Sequence, residues 1–153
     1  MTLVVDVANE TGRLPLSRHA VREVARTVLR AQDVHHALLS VTFVSSGAMA
    51  ALNRRHLRRR GSTDVIAFGF DRAAPKSAVI GDVYIAPAVA RANAKRLGVS
   101  AREEVARLVI HGTLHVLGHD HPEGEGRTRS AMWRAQEKLL KRTRARWGRG
   151  KGA

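Results

Sequence analysis

The sequence predicts a single α+β domain, and three observations lead to that prediction. The chain has 153 residues, a length that suits one domain with a substantial hydrophobic core. Neither an internal repeat nor a linker divides it. Short segments rich in valine, typical of strands, are interspersed with longer amphipathic segments, typical of helices, and the two kinds do not strictly alternate.

Four segments have the composition of β-strands. Each is short, rich in β-branched residues and bounded by turn residues, which is the pattern expected of strands. The predicted strands cover residues 3–9, 36–46, 63–70 and 79–86.

Five further segments have the apolar spacing of helices. Ser17 stands where the cap of the first helix belongs, and Ser100 with Glu103 forms a capping box for the fourth. Gly98 and Gly118 suit the left-handed conformation that ends a helix. The predicted helices begin after residue 17, cover 49–57 and 88–97, continue from 101 to 118, and end with 128–142.

The end of the chain differs in composition from the rest. Residues 143–153 lack apolar periodicity, so we expect a domain of residues 1–142 followed by a disordered basic tail. The basic C-terminal region, residues 127–151, contains two tryptophans, and these are its candidates for stacking on bases. Trp133 lies on an apolar helical stripe and is expected in the core, whereas Trp147 is expected to be free.

Charge is the unusual feature of the composition. The 27 Lys and Arg residues exceed the 13 Asp and Glu residues, which gives a formal net charge of +14. Such a protein attracts polyanions, either nucleic acid or an anionic membrane surface. A generally arginine-rich surface without a polyanionic partner is the alternative. The chain has no cysteine, which excludes disulfides, thiolate ligands and a cysteine nucleophile.

The sequence carries no targeting or membrane-spanning signal. No apolar run approaches the roughly 18 residues that a membrane span needs. The N-terminal segment contains Asp6 and no basic region before a long apolar stretch, so it is unlike a signal peptide. We therefore expect a cytoplasmic protein that does not bind membranes.

The stretch HGTLHVLGHDH, residues 111–121, is the strongest functional signal. His111 and His115 are four residues apart on a predicted helix and project from one face. A sharp turn at Gly118 lets His121 return as a third ligand. Three imidazoles leave one position of a zinc ion open, which is typical of a catalytic site. Nickel also favours imidazole, and a histidine-rich surface loop is the alternative without a metal.

The spacing is that of the metzincin proteases, with one difference. Their motif has the general base, a glutamate, directly after the first histidine, where this chain has Gly112. Glycine cannot accept a proton, which argues against a peptidase and places the base elsewhere. Within the motif, Asp120 is a candidate to orient a ligating imidazole, and an equally open alternative is that it caps the turn. His119 faces either solvent or substrate.

These residues resemble the YbeY family of bacterial rRNA maturation factors. HGTLHVLGHDH follows the family signature H-G-x-L-H-x-x-G-[YF]-D-H except at His119, where an aromatic residue is usual. The segments LNRRHLRRRGSTDVIAF, IGDVYIA and MWRAQEKLL resemble further family motifs, so the similarity spans about residues 3–140.

The resemblance implies a fold, an activity and a set of partners. The fold is an α+β domain with a mixed sheet of about four strands and a zincin-like metal helix. His111, His115 and His121 correspond to the family's ligands for one Zn²⁺ per chain. The implied activity is endonucleolytic hydrolysis of single-stranded ribosomal RNA near the 3′ end of the small-subunit RNA. The resemblance also implies a role in ribosome quality control. The small ribosomal subunit and an Era-type GTPase are the implied partners.

One family residue is missing. An arginine with a functional role in the family corresponds here to Leu57, and Arg58 and Arg59 follow directly. Either guanidinium is a candidate catalytic replacement, in contact with phosphate; both belong to a predicted RNA-binding cluster of Arg54, Arg55, Arg58, Arg59 and Arg60. The substitution also keeps open a second function, a ribosome-assembly factor that holds zinc and binds RNA without cutting it.

Overall fold

The computed structural model describes residues 1–56, 63–70, 72, 74, 76–121, 126–127 and 130–147. In this part of the chain four strands and five helices follow one another. They are β1 (Thr2–Asn9), α1 (Arg18–Ala31), β2 (His36–Phe43), α2 (Ser46–His56), β3 (Val65–Gly69), β4 (Val79–Ile85), α3 (Pro87–Leu97), α4 (Ala101–Val116) and α5 (Ala131–Trp147). No helix among these described residues is both long and apolar enough to cross a membrane.

The strands form a mixed sheet in the order β1-β2-β4-β3. β1 and β4 both pair with β2 in parallel, and β3 is antiparallel to β4 at the edge. The parallel pairs require crossover connections, and α1 supplies the first of them. The predicted α+β fold with a mixed four-stranded sheet is confirmed.

The main core lies between one face of the sheet and the helices α1, α4 and α5. Alternate residues of each strand point to it, as the period of a half-buried strand requires; Val5, Leu39 and Val83 are examples. A smaller cluster on the other face, with Met49 and Ile66, packs α2 against β3. α4 is the central helix, because 12 of its 16 residues are buried and it contacts α1, α3, α5, β3 and β4.

Glycines allow α4 to approach the sheet closely. Gly69 of β3 pairs with Gly81 of β4, and both lie against Val116 at the end of the helix. A β-carbon on Gly81 would lie 2.7 Å from the carbonyl oxygen of Phe68, and one on Gly69 would lie 2.6 Å from that of Val116. Farther along α4, a β-carbon on Gly112 would lie 2.6 Å from Cγ1 of Val83. The helix and the sheet therefore approach so closely that a side chain larger than hydrogen does not fit at these three positions without a shift of the neighbouring atoms.

The predicted helix caps are present. The hydroxyl of Ser17 accepts a hydrogen bond from the backbone N–H of Ala20, and that of Ser100 accepts one from Glu103. The Glu103 carboxylate lies 2.7 Å from Nη1 of Arg144, so the side chain joins α4 to α5. Of the two hydrogen bonds of the expected capping box, the structure has the one that the Ser100 hydroxyl accepts, while the Glu103 carboxylate pairs with Arg144 instead.

The predicted boundary between β2 and α2 is wrong. β2 ends at Phe43 rather than at residue 46, and α2 begins at Ser46 rather than at 49. The reason is local: the hydroxyl of Ser45 accepts a hydrogen bond from the backbone N–H of Ala48, which starts the helix three residues early.

The predicted start of the tail at residue 143 is also wrong, because α5 continues to Trp147. Thr143 is buried, and Trp147 packs against the main core with the Arg102 guanidinium 4.1 Å from its ring centroid. Trp147 is therefore not free. Trp133, which was expected in the core, is partly exposed and is not among the residues of the main core, so that prediction is wrong as well. Residues 148–153 lie outside the described residues.

The close contact between α4 and the sheet predicts a cost for any side chain at Gly81. Gly81→Ala places a methyl group against backbone that cannot move independently, and we expect the free energy of unfolding to fall by about 1–3 kcal/mol. Urea unfolding followed by circular dichroism measures the change. Gly47→Ala is the matched control, because no atom lies closer than 4.0 Å to the added carbon. Equal stability of the two variants would contradict the packing account.

Candidate metal centre

Three imidazoles converge at the C-terminal end of α4. His111 and His115 lie one turn apart on the helix, with ring centroids 4.6 Å from each other. The helix ends at Val116, and Gly118 adopts a left-handed conformation with φ of 96°. The chain therefore reverses, and the ring of His121 comes within 5.1 Å of both other rings.

The convergent histidines can hold one metal ion. One nitrogen from each ring lies within 4.8 Å of the corresponding nitrogens of the other two, so small torsional changes bring all three onto one ion. His111 is buried, and His115 and His121 are partly exposed, which leaves one side of the group accessible. Such an arrangement suits a catalytic ion with an open coordination position.

The environment keeps the two helical histidines neutral. Burial lowers the pKa of His111 to about 4, and the nearby charges of His115 and Arg127 act in the same direction. Burial also lowers the pKa of His115, with a further contribution from His121. A metal binds the unprotonated ring, so these shifts favour binding at neutral pH.

Gln136 of α5 orients His111. Its Oε1 lies 2.6 Å from Nδ1 of His111, and its Nε2 donates a hydrogen bond to Glu137. An amide oxygen can only accept, so Nδ1 of His111 carries the proton and Nε2 keeps its lone pair. This is the tautomer in which Nε2 is the metal ligand. Sequence reasoning missed Gln136, since 25 residues separate it from His111.

A network of ion pairs behind Gln136 joins α4 to α5. Arg107 of α4 donates to both carboxylate oxygens of Glu137, at 3.1 and 3.2 Å, and to Glu104 at 2.7 Å. Bidentate arginine–carboxylate pairs have a defined geometry. Burial raises the pKa of Glu104, which opposes the effect of its arginine partner. The network holds the helix that carries Gln136 at a fixed position relative to the histidines.

The other residues of the motif lie around this group in distinct roles. The Asp120 carboxylate accepts a hydrogen bond of 2.8 Å from the backbone N–H of His121, so it stabilises the turn. His119 contacts Gln32 at the end of α1, with 2.7 Å between Nε2 and Oε1. It thus attaches the turn to the body of the protein. A direct contact of Asp120 with an imidazole stays a prediction.

The predicted RNA-binding cluster is only partly described. Arg54 and Arg55 are exposed at the C-terminal end of α2. Next to them the ring of His56 packs against Phe68 of β3, at 5.2 Å between centroids. Leu57, Arg58, Arg59 and Arg60 lie outside the described residues.

The structure gives a steric reason for the missing protease base. Gly112 faces β4, where a β-carbon would collide with Val83. A glutamate at this position would have to displace the side chain of Val83, so this helix–sheet packing disfavours the metzincin base. The chain thus has the three histidines of the metzincin spacing (hereafter the metal group: His111, His115 and His121) without the protease's catalytic carboxylate.

An α+β domain with three convergent imidazoles on one helix and its following turn has the arrangement that is typical of metal-dependent enzymes. A family model described as endoribonuclease YbeY matches residues 6–144 of this chain. The chain is a member of the endoribonuclease YbeY family.

Individual relatives agree with the family match. The chain is 36% identical to the endoribonuclease YbeY of Acidothermus cellulolyticus, over 94% of this chain and 93% of the relative. It is 38% identical to that of Thermobifida fusca, over 89% of this chain and 91% of the relative. The solution structure of TM1509 from Thermotoga maritima has the same fold, with a TM-score of 0.62 at 20% identity over 94% of this chain and 91% of that one.

Metal binding distinguishes two histidines only four residues apart. His115→Ala removes one of the three convergent imidazoles, and we expect the affinity for Zn²⁺ to fall more than about 100-fold, beyond the range typical of residues that only orient ligands. His119→Ala is the matched control and should bind one equivalent nearly as the parent protein does, because His119 contacts Gln32 instead. Competition with a chromophoric chelator measures both. Loss of binding in the control alone would contradict the assignment.

The orienting role of Gln136 predicts an intermediate effect. Gln136→Leu keeps the size of the side chain but removes the acceptor for Nδ1 of His111, and we expect Zn²⁺ affinity to fall about 10-fold or more. Asp120→Asn, measured in the same chelator competition, should change it less, because the amide oxygen still accepts from the backbone of His121. The reverse order of the two effects would show that Asp120 is the principal orienting residue.

Proposed function

We propose that this protein is a zinc-dependent endoribonuclease that hydrolyses single-stranded RNA. Its proposed substrate is cytoplasmic ribosomal RNA, near the 3′ end of the small-subunit RNA, in maturation and ribosome quality control. The observation that carries the proposal is the convergence of His111, His115 and His121 in a chain of the endoribonuclease YbeY family. The net charge of +14 suits a polyanionic substrate.

The donor set fits zinc. Three imidazole nitrogens and no thiolate match the ligands of catalytic zinc sites, and the low pKa of His111 makes its lone pair available at neutral pH. Zinc, when bound, supplies Lewis-acid stabilisation of charge on a phosphoryl oxygen and activates water as a nucleophile.

The protein's own residues contribute position and charge. Gln136 sets the tautomer and the orientation of His111, and the Arg107 network keeps Gln136 in place. Arg54 and Arg55 are exposed and carry the positive charge that RNA phosphates bind. These contacts read the backbone and not the bases.

Arg58 and Arg59 complete the proposed active site. They follow Leu57, the first residue after α2, and one of them would replace the family arginine that is missing at Leu57. A guanidinium there would bind the scissile phosphate through paired hydrogen bonds and stabilise its developing charge.

Contacts to the RNA backbone carry little information about base sequence. The cleavage site is therefore determined by the surroundings in which the RNA is presented. We therefore include the small ribosomal subunit and an Era-type GTPase as proposed partners. A partly assembled subunit would present one single-stranded segment to the metal centre.

The second candidate function is a ribosome-assembly factor that binds zinc and RNA without cleavage. The observation that favours it is Leu57 at the position of a functional arginine. The two functions differ in what removal of the metal does. An assembly factor would keep its whole activity if the fold survives, whereas a nuclease would lose turnover and keep much of its affinity for RNA.

Cleavage of a labelled single-stranded RNA tests the proposal. We expect the metal-loaded protein to cut it, and both a chelator and His115→Ala to abolish cutting. Arg58→Ala and Arg59→Ala are compared in the same assay, and loss of one catalytic guanidinium should lower kcat by about 100-fold or more. His119→Ala keeps the three convergent imidazoles and should cut as the parent protein does, whereas His115→Ala, purified in the same way, reveals contaminating nucleases.

The outcomes separate the two functions. Cleavage that persists unchanged in His115→Ala would come from another enzyme. Metal and RNA binding without cleavage in the parent protein would favour the assembly factor. Full activity of both single arginine variants would exclude either residue as the essential guanidinium.

A further inference from the structure

A cavity of about 430 Å³ lies directly beside the metal group and shares His111 with it. Its size falls within the about 300–1,000 Å³ of typical small-molecule sites. Its wall combines three kinds of side chain: apolar and aromatic, cationic, and neutral or acidic polar. The residues that matter for its chemistry are Trp133, Arg127, Arg96, Asn93, Asp64 and Gln136.

Trp133 and Arg127 are held next to each other in this wall. The guanidinium carbon of Arg127 lies 5.8 Å from the centroid of the Trp133 ring. Between them in sequence, the hydroxyl of Ser130 donates to the carbonyl of Arg127 at 2.8 Å and accepts from the backbone N–H of Trp133 at 3.1 Å. The aromatic ring and the cation therefore have a fixed backbone separation before any ligand binds.

Arg127 has an unused donor. Its Nε is buried and has no hydrogen-bond partner among the residues that the structure describes. Leaving a buried donor of a charged group unpaired is costly, so such a group points to a ligand. Arg107, in the same wall, differs because its guanidinium is already bound to Glu104 and Glu137.

The combination suits one nucleotide of single-stranded RNA. Any base can stack on an aromatic ring, and a guanidinium donates hydrogen bonds to a phosphate. Asn93 and Asp64, hydrogen-bonded to each other at 3.1 Å, add polar atoms for the edge of a base. Unpaired bases that stack on aromatic side chains are the usual target of proteins that bind single-stranded RNA.

We propose that this cavity is a nucleotide-binding subsite, in which a base next to the scissile bond stacks on Trp133 and a phosphate binds Arg127. The inference rests on the proposed function, because it takes RNA to be the substrate. It adds to the proposed function the residues that position the RNA strand relative to the metal. The position of the subsite against His111 makes it adjacent to the bond that is cut.

Fluorescence of Trp133 tests the stacking. The chain has two tryptophans, so Trp147→Phe leaves Trp133 as the only indole and retains a ring for Arg102 to contact. This protein is titrated with single-stranded hexauridylate and hexaadenylate in the presence of a chelator, so that nothing is cleaved. We expect saturable quenching by both, because stacking tolerates any base.

Affinity measurements with two pairs of variants test the same contacts. Trp133→Ala should weaken binding of the hexamers about tenfold, and Trp133→Phe should restore most of it. Arg127→Ala should weaken binding about tenfold. Arg134→Ala removes the same charge from an exposed position on α5 outside the cavity and should have a smaller effect.

The results are distinguishable from those of the cleavage assay. Hexamers that bind without quenching Trp133, or equal effects of Arg127→Ala and Arg134→Ala, would overturn the subsite even if the protein cuts RNA. Quenching with the expected order of variants supports the subsite even in a protein that cuts nothing. Should Trp133→Ala fail to fold, the quenching and the arginine pair decide the question.

Discussion

The whole arrangement depends on the close contact between α4 and the sheet. Gly69 and Gly81 are neighbours on paired strands, and the end of α4 lies against both. This contact places the last turn of the helix at the edge strand β3, with His111 and His115 directed away from the sheet towards α5 and the following turn. Farther along α4, a β-carbon on Gly112 would collide with the side chain of Val83, so the packing that positions the convergent histidines also leaves little room for a protease base at this position.

A second helix converts three convergent rings into a defined ligand set. α5 supplies Gln136, whose oxygen decides which nitrogen of His111 carries a proton. Ion pairs from Arg107 to Glu137 and from Arg144 to Glu103 hold the two helices together. The more buried partners of these pairs, Arg107 and Glu103, lose hydration on folding, and the pairs fix one helix against the other. Because α5 also carries Trp133, the metal group and the adjacent cavity share one rigid support.

Local sequence patterns predicted the metal group, but they could not predict contacts between residues that are far apart in sequence. The i, i+4 histidines and Gly118 lie within a few residues of one another, so the site could be derived from spacing alone. Gln136 could not, since only the packing of α5 on α4 brings it to His111. The end of α5 was not predicted, because Thr143 continues the helical spacing of the buried residues without being apolar, and basic residues surround Trp147. The buried residues before them are Met132, Gln136, Leu139 and Leu140.

The central claim is that one ion held by His111, His115 and His121 is required for RNA hydrolysis. The most direct measurement is an activity titration: metal-stripped protein receives increasing Zn²⁺, and the single-turnover rate of cleavage of a single-stranded RNA is followed. We predict no cleavage without metal and a rate that rises to a maximum at one ion per chain. A rate that is independent of added metal, in protein shown to be metal-free, would contradict the claim.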